Sequence, residues 1–155
     1  QLLTCKPTVI RGTASEIIAL TGEAAKGKGA DAADTVSAAE NAARILAQQT
    51  GAVVAITGPI DFVTNGTETF RIANGHALMP QVTALGCALT GVVGAFVVGQ
   101  DPLEATVAAL AYYGLAGEHA SKVAQGPGSF AMGFIDALHA ITPEDVNNGA
   151  NVVAT

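Results

Sequence analysis

Short, continuously apolar stretches alternate with helical periodicities along this chain, an order typical of an α/β fold. The runs Pro7 to Ile10 and Ala52 to Ile56 have the composition of strands in a parallel sheet that is covered on both faces. Residues Ile60 to Thr64 and Thr69 to Ala73 flank an Asn-Gly pair, which predicts a β-hairpin with a type I′ turn. The pattern therefore predicts two parallel strands and one hairpin.

Helical patterns account for most of the remaining chain. They run from Thr13 to Leu20, Val36 to Gln49, Gly86 to Val98, Pro102 to Ala124 and Ser129 to about Ile141. Thr13 and Glu16 have the spacing of a capping box at the start of the first helix. Pro102 is expected near the first position of its helix, and Ser129 is expected to cap the last one.

Two segments lack a clear periodicity. Residues 23–34 are rich in Ala, Gly and Lys, a composition that predicts a mobile loop. The polar composition of residues 143–155 predicts a tail that frays. Two parallel strands and a hairpin would form a sheet that is too small to pack against five helices. We therefore interpret residues 1–142 as the C-terminal part of a single larger α/β domain, followed by the tail.

Composition narrows the classes of partner. Half of the residues are hydrophobic, 13% are charged and the formal net charge is −6, which argues against nucleic acid and anionic membrane surfaces. The scarcity of charge indicates a surface partly buried against another subunit. Val82 to Gly99 is nearly long enough to span a membrane, but its acidic flank and lack of an aromatic belt favour a buried helix. Cys5 and Cys87 give no disulfide framework and no zinc spacing, which favours reduced thiols in the cytoplasm.

The most distinctive candidate site lies where a polar turn meets an apolar helix, at Gly86 and Cys87. A helix N-terminus attracts anions, and its field favours a thiolate. A small buried hydrophobe is an equally consistent interpretation of Cys87. Arg11 and Thr57 each follow a predicted strand, where ligands gather in α/β sheets; Arg11 could clamp a phosphate, or simply cap a loop. Glu16 either completes its capping box or binds Mg²⁺, usually through water.

Five short motifs follow one another along the chain. They are Thr8 to Ile17, Val54 to Thr64, Asn74 to Met79, Gly86 to Leu89 and Gly126 to Phe130. In this order they resemble the motifs of the hydroxyethylthiazole kinase family, and the resemblance extends to about Pro143. It implies a ribokinase-like α/β fold with a mostly parallel sheet flanked by helices. It also implies ATP- and Mg²⁺-dependent phosphorylation of 4-methyl-5-(2-hydroxyethyl)thiazole in thiamine salvage, by a homotrimer with active sites at its subunit interfaces.

The resemblance assigns roles to individual residues. Arg11 and Thr57 match the family's nucleotide-binding arginine and threonine, and Glu16 matches a glutamate linked to Mg²⁺. Ala84 falls where the family contacts its substrate. The family's chain is longer, with further strands and part of the thiazole pocket upstream, which agrees with the small number of strands predicted here.

The family's Gly-Thr-Gly-Cys anion hole falls on residues 84–87. Leu85, Gly86 and Cys87 would then form the anion hole, and Cys87 stands where related sugar kinases place an aspartate base. The chain departs from the family pattern where Ala84 and Leu85 replace Gly and Thr, and where Thr13 replaces an asparagine beside the Mg²⁺ glutamate. Ala84 can serve only if its φ is negative or strain is tolerated there.

Two other functions remain open from the sequence. One is a different ribokinase-like enzyme, such as a kinase of a pyrimidine alcohol or a nucleotide-dependent repair dehydratase, which substrate screening would distinguish. The other is a non-catalytic remnant that binds nucleotide or forms oligomers. Binding of ATP without turnover of any hydroxyl substrate would favour the remnant.

Overall fold

The computed structural model describes residues 2–22 and 32–155. The chain divides into two compact units, Gln1–Arg71 with Ala154–Thr155 and Ile72–Val153. Most of the loop predicted at residues 23–34 lies outside the described residues. Its last three residues, 32–34, are helical, because the following helix begins four residues earlier than its apolar periodicity predicts.

The elements up to residue 72 follow the predicted order. After a 3₁₀ turn at Leu2–Cys5 come β1 Val9–Gly12, α1 Ala14–Leu20, α2 Ala32–Thr50, β2 Val53–Ile56, β3 Asp61–Thr64 and β4 Thr69–Ile72. The first strand begins and ends two residues later than predicted, so Arg11 and Gly12 are part of it. All four residues of β2 are buried, as a strand covered on both faces requires.

The sheet is mixed and has the order β1-β2-β3-β4-β5, with β5 at Val152–Ala154. β1 and β2 are parallel, and β2 and β3 are antiparallel. The α/β class is confirmed. In the parallel register Arg11 lies opposite Ala55 and Gly12 opposite Ile56, which brings the carboxyl ends of both strands to one edge of the sheet.

The predicted capping pair opens α1. The Thr13 backbone N–H donates to Glu16 Oε2 at 2.7 Å, and the Thr13 hydroxyl donates to the same oxygen at 3.0 Å. The side chain of Ile17 is completely buried one residue later. The local sequence thus fixes where this helix begins and which side faces the core.

The predicted hairpin is present, but its turn is not of type I′. Four residues separate β3 from β4, and Asn65 Oδ1 accepts hydrogen bonds from the N–H groups of Thr67 and Glu68 at 3.0 and 2.8 Å. Among described residues the non-glycines with positive φ are Lys6 and Ala84, so Asn65 lacks the left-handed backbone that a type I′ turn needs. The asparagine side chain closes a longer turn instead.

Helices α1 and α2 bury small and branched apolar side chains against one face of the first strands. The cluster contains Ile10, Ile17, Ala39, Ala42, Ala43, Leu46, Ala47, Ala52, Val54, Ile56 and Phe62. The alanines of α2 recur at a spacing of three and four residues, which places them on one side of the helix. This core supports the strand ends that carry Arg11 and Thr57.

The second unit is mainly helical. It contains a 3₁₀ turn at Met79–Gln81 and the helices α3 Leu85–Phe96, α4 Pro102–Ser121, α5 Pro127–Ala140 and α6 Pro143–Gly149. Asp101 caps α4 by accepting from the N–H groups of Leu103 and Glu104, and Pro102 occupies the start of the helix as predicted. Of the helices in the described ranges, none combines the length and apolar character needed to cross a membrane.

Two predictions for the C-terminal segments are wrong. Ser129 does not cap α5, because the helix already begins at Pro127, and its hydroxyl accepts from the Gln125 N–H at 2.9 Å. Residues 143–155 do not form a fraying tail. The Thr142 hydroxyl accepts from the Asp145 N–H at 3.2 Å and thereby caps α6, and the chain continues into β5, which neighbours β4 in the sheet. The domain boundary at residue 142 stays a prediction.

A buried asparagine ties distant segments of the second unit together. Asn74 Nδ2 donates to Glu118 Oε1 and to the Gly149 carbonyl, both at 3.0 Å. Its Oδ1 accepts from the Asn151 N–H at 2.7 Å. An amide that satisfies both its donor and acceptor groups in this way fixes the segment before α3 to α4 and to the end of α6.

We expect Gly114→Ala to destabilise the second unit by about 2 kcal/mol, although alanine is the better helix former. A Cβ on Gly114 would lie 2.6 Å from Asn74 Cβ and 2.7 Å from the Asn74 carbonyl carbon, so backbone would have to move. Gly117→Ala in the same helix is the control, because its Cβ would meet the flexible Met79 side chain. Urea unfolding should show the smaller loss for Gly117→Ala, and equal losses would contradict the explanation.

Candidate functional site

Arg11 and Thr57, two residues predicted to bind a nucleotide, are in contact. Arg11 Nη1 donates to Thr57 Oγ1 at 3.2 Å, although 46 residues separate them in sequence. Arg11 lies in β1 and Thr57 directly follows β2, so the parallel register of these strands brings the two side chains together. The contact lies at the carboxyl end of two parallel strands, where ligands of α/β sheets gather.

Thr57 is held through its backbone as well as its side chain. The Thr57 N–H donates to the Gly12 carbonyl at 2.9 Å, which extends the parallel pairing by one residue beyond β2. Thr57 Oγ1 also lies 3.5 Å from the same carbonyl oxygen. The hydroxyl is therefore positioned between a guanidinium donor and a backbone acceptor.

Asp61, which no sequence argument singled out, closes the loop after Thr57. Its Oδ1 accepts from the Gly58 N–H at 2.9 Å. Burial raises the pKa of the Asp61 carboxyl from 3.8 to about 6, against the opposing effects of the Gly58 hydrogen bond and the positive charge of Arg11. The sequence signal that could have identified Asp61 is a charged residue at the first position of β3, the strand that pairs with the fully buried β2.

Glu16 is exposed at the start of α1, and its carboxylate is well suited to meet a cation. Hydrogen bonds from the Thr13 N–H and then from the Thr13 hydroxyl lower the pKa of Glu16, helped by the charge of Arg11. Both bonds go to Oε2. In residues 2–22 and 32–155 no three His, Cys, Asp or Glu side chains cluster as a metal site. One carboxylate fits Mg²⁺, which commonly binds one or two protein carboxylates together with water and substrate phosphates.

The four remaining predicted residues lie at the start of α3 in the second unit. Ala84 precedes the helix, while Leu85, Gly86 and Cys87 form its first turn, where backbone N–H groups and the helix dipole favour anions. Cys87 is exposed, so its interpretation as a buried core residue is wrong. Tyr113 of α4, a residue that the sequence did not single out, donates from its hydroxyl to the Leu85 carbonyl at 2.7 Å.

Ala84 has the left-handed conformation, with φ 69° and ψ 1°. A glycine, the residue that the family resemblance predicts at this position, could adopt such angles without strain, whereas the alanine Cβ crowds its own backbone. The condition of a negative φ is therefore not met, and this chain carries strain at the entrance to α3.

We expect Ala84→Gly to stabilise the second unit by about 1 kcal/mol, because glycine removes that strain. Ala88→Gly is the matched control, since Ala88 is exposed inside α3 and glycine there should cost about 1 kcal/mol. Urea denaturation of the two variants should therefore give shifts of opposite sign. A loss of stability in both would contradict the left-handed backbone at residue 84.

Comparison with known proteins gives a consistent result. A model of the hydroxyethylthiazole kinase family matches residues 1–144. A protein named hydroxyethylthiazole kinase from Cereibacter sphaeroides is 64% identical over 154 residues, covering 99% of this chain and 59% of that protein. A protein of the same name from Rhizobium leguminosarum bv. trifolii is 55% identical over 155 residues, covering 99% of this chain and 58% of its own length.

A solved structure agrees with the sequence relatives. The structure of hydroxyethylthiazole kinase protein from Pyrococcus horikoshii OT3 superposes with a TM-score of 0.87 at 34% identity, and covers 99% of this chain and 57% of that one. The predicted ribokinase-like α/β fold is confirmed. The chain spans about three fifths of the length of the curated relatives it matches. It belongs to the hydroxyethylthiazole kinase family.

Proposed function

We propose that the protein carrying this chain transfers the γ-phosphoryl group of ATP to the hydroxyl of 4-methyl-5-(2-hydroxyethyl)thiazole, a step of thiamine salvage. The family match over residues 1–144 supports this reaction class. The observation that carries the proposal to particular residues is the hydrogen bond from Arg11 to Thr57 at the carboxyl end of two parallel strands.

Arg11 and Thr57 would bind the nucleotide phosphates. A guanidinium group presents several N–H donors in one plane and suits phosphate oxygens, and a threonine hydroxyl adds a further donor. Glu16, ionised at neutral pH and exposed, would hold Mg²⁺ together with the phosphates and water. The bound ion would neutralise phosphate charge.

The first turn of α3 would receive the transferring group. The substrate hydroxyl oxygen attacks the γ-phosphorus, the bond from that phosphorus to the β–γ bridging oxygen breaks, and ADP leaves. Backbone N–H groups of Leu85, Gly86 and Cys87 would stabilise the negative charge on the phosphoryl oxygens. The exposed Cys87 would accept the hydroxyl proton, and Ala84 would contact the thiazole.

The proposal extends to assembly and location. The low proportion of charged residues suits a homotrimer in which subunit interfaces cover part of the surface, with active sites at those interfaces. The two cysteines without a disulfide framework suit the cytoplasm. The strained Ala84 and the loss of a hydroxyl at Leu85 favour, as a second candidate, a nucleotide-binding protein without catalytic activity.

A kinase assay with ATP, Mg²⁺ and hydroxyethylthiazole, run beside the intact mass of the same sample, tests the proposal. Phosphorylated thiazole is the expected product. Binding of ATP without turnover of the thiazole would support the non-catalytic candidate. Turnover of a pyrimidine alcohol in preference to the thiazole would place the protein elsewhere among ribokinase-like enzymes.

Substitutions at Cys87 test its role as the base. We expect Cys87→Ser to lower kcat about tenfold or more, because a serine hydroxyl is not ionised near neutral pH and cannot replace a thiolate as the base, and Cys87→Asp to retain or raise kcat. The KM for ATP should change little in both variants. Turnover by Cys87→Ser equal to that of the unmodified protein would remove Cys87 from the mechanism.

A further inference from the structure

Asp61 combines a partly buried carboxyl with an exposed loop. Gly58, Pro59 and Ile60 are all exposed, whereas Asp61 turns inward and Phe62 after it is buried. The Asp61 carboxyl accepts the Gly58 N–H at 2.9 Å and lies within the electrostatic influence of Arg11. Asp61 therefore lies near the Arg11–Thr57 pair but is not itself a member of it.

The hydrogen bonds on either side of Thr57 fix its backbone. The peptide group before Thr57 is held by the bond from the Thr57 N–H to the Gly12 carbonyl at 2.9 Å. The peptide group after it is held by the bond from the Gly58 N–H to Asp61 Oδ1. Because φ and ψ of Thr57 are the rotations between these two peptide groups, both bonds together set the direction of its side chain.

We propose that Asp61 is a positioning residue for nucleotide binding. By holding the Gly58 N–H, it fixes the peptide group after Thr57 and so aims the Thr57 hydroxyl. Through the 3.2 Å bond from Arg11 to that hydroxyl, it also orients the guanidinium that would meet the phosphates. The inference rests on the proposed nucleotide site at Arg11 and Thr57.

Stability alone does not account for a carboxyl at this position. Burial penalises its charged form, and an apolar side chain of the same shape would avoid that penalty. The Gly58 N–H is in an exposed loop, where water would satisfy it without help. What the carboxyl adds is a fixed direction for one peptide group next to a proposed ligand-binding residue.

Two nearly isosteric substitutions separate the hydrogen bond from the charge. Asp61→Asn retains an acceptor for the Gly58 N–H and removes the charge, whereas Asp61→Leu keeps the shape and removes the acceptor. The binding of ADP to the full-length protein is measured by calorimetry, with Arg11→Ala as the reference for the site. We expect Asp61→Asn to bind ADP within about twofold of the unmodified protein and Asp61→Leu to bind about tenfold more weakly.

A kinetic measurement distinguishes positioning from a general loss of structure. The KM for ATP of Asp61→Leu should rise while kcat at saturating ATP changes less than twofold, and its thermal midpoint should not fall. If Asp61→Leu does not fold, Asp61→Ala takes its place against Asp61→Asn.

The outcomes separate this inference from the function on which it rests. If Arg11→Ala binds ADP as tightly as the unmodified protein, the proposed nucleotide site is wrong, and the inference with it. If Arg11→Ala weakens binding but Asp61→Leu does not, only the role of Asp61 is overturned. If Asp61→Asn weakens binding as much as Asp61→Leu, the charge rather than the hydrogen bond matters, which also overturns the positioning role.

Discussion

Replacing Arg11 with alanine is expected to lower kcat/KM for ATP about 100-fold. A hydrogen bond to a charged group contributes on the order of 1.5–3 kcal/mol, and Arg11 would supply such bonds to the phosphates while also holding the Thr57 hydroxyl. Steady-state kinetics with varied ATP would measure the loss. Arg11→Lys should recover only part of it, because an ammonium group cannot reproduce the planar pair of donors.

Arg44→Ala is the matched control for the loss of an arginine. Arg44 Cζ lies 5.0 Å from the centre of the Phe62 ring, and Arg44 Nη2 lies 3.8 Å from Glu40 Oε2. The Arg44 side chain is about one-third exposed. Its removal costs a weak surface ion pair and a cation–π contact, and should leave the KM for ATP unchanged. A similar rise in KM for both variants would show that Arg11 acts through net charge and not through direct binding.

Replacing Asp61 with asparagine is expected to stabilise the first unit by about 2–3 kcal/mol at pH 8. The pKa of Asp61 is raised from 3.8 to about 6 by burial, so folding at high pH forces a charge into a poorly solvated place. Asparagine has no charge to bury and keeps an acceptor for the Gly58 N–H. Chemical denaturation of both proteins across a range of pH would measure the difference.

The pH dependence of that difference has a definite sign. Near pH 2 the Asp61 carboxyl is protonated in both the folded and the unfolded chain, so the two proteins should be nearly equal in stability. As the pH rises from about 3 to about 7, the unmodified protein becomes progressively less stable than Asp61→Asn, and above that range the difference stays constant. Glu16 and Asp145, whose pKa values are lowered, act in the opposite direction in both proteins and cancel. A difference that does not depend on pH would show that burial does not raise the Asp61 pKa.

Features that depend on near neighbours in sequence could be predicted from the sequence. The start of α1 is an example, because Thr13 and Glu16 are three residues apart and their hydrogen bonds are local. The buried strand β2 is another, because a run of four consecutive apolar residues is typical of a strand that is covered on both faces of its sheet.

Features that depend on contacts between residues far apart in the sequence could not be predicted from it. The turn after β3 depends on the Asn65 side chain accepting two backbone N–H groups, which an Asn-Gly pair does not reveal. The strand β5 has three residues, and its partner β4 lies about eighty residues earlier in the chain. The fraying predicted for this segment is therefore wrong for a reason that no local pattern contains.

The candidate site shows the same division. Arg11 and Thr57 could be identified from their positions after predicted strands, and the register of β1 and β2 then explains their contact. The role of Asp61 depends on a loop that turns its carboxyl inward, and the left-handed angles of Ala84 depend on how the chain enters α3. Neither the inward turn of Asp61 nor the backbone angles of Ala84 can be predicted from residue type alone. The roles of all four residues in nucleotide and substrate binding stay predictions.

The hydrogen bonds of Asn74 also constrain how the protein folds during synthesis. Asn74 bonds to the Gly149 carbonyl and the Asn151 N–H, which are 75 and 77 residues further along the chain. A nascent chain cannot complete these bonds until the ribosome has released nearly the whole second unit. Until then, the segment before α3 lacks two of the three hydrogen bonds that the Asn74 side chain makes, and only the bond to Glu118 of α4 can form. Slow translation of the segment that contains Gly149 and Asn151 would prolong the interval in which this unit is prone to aggregate.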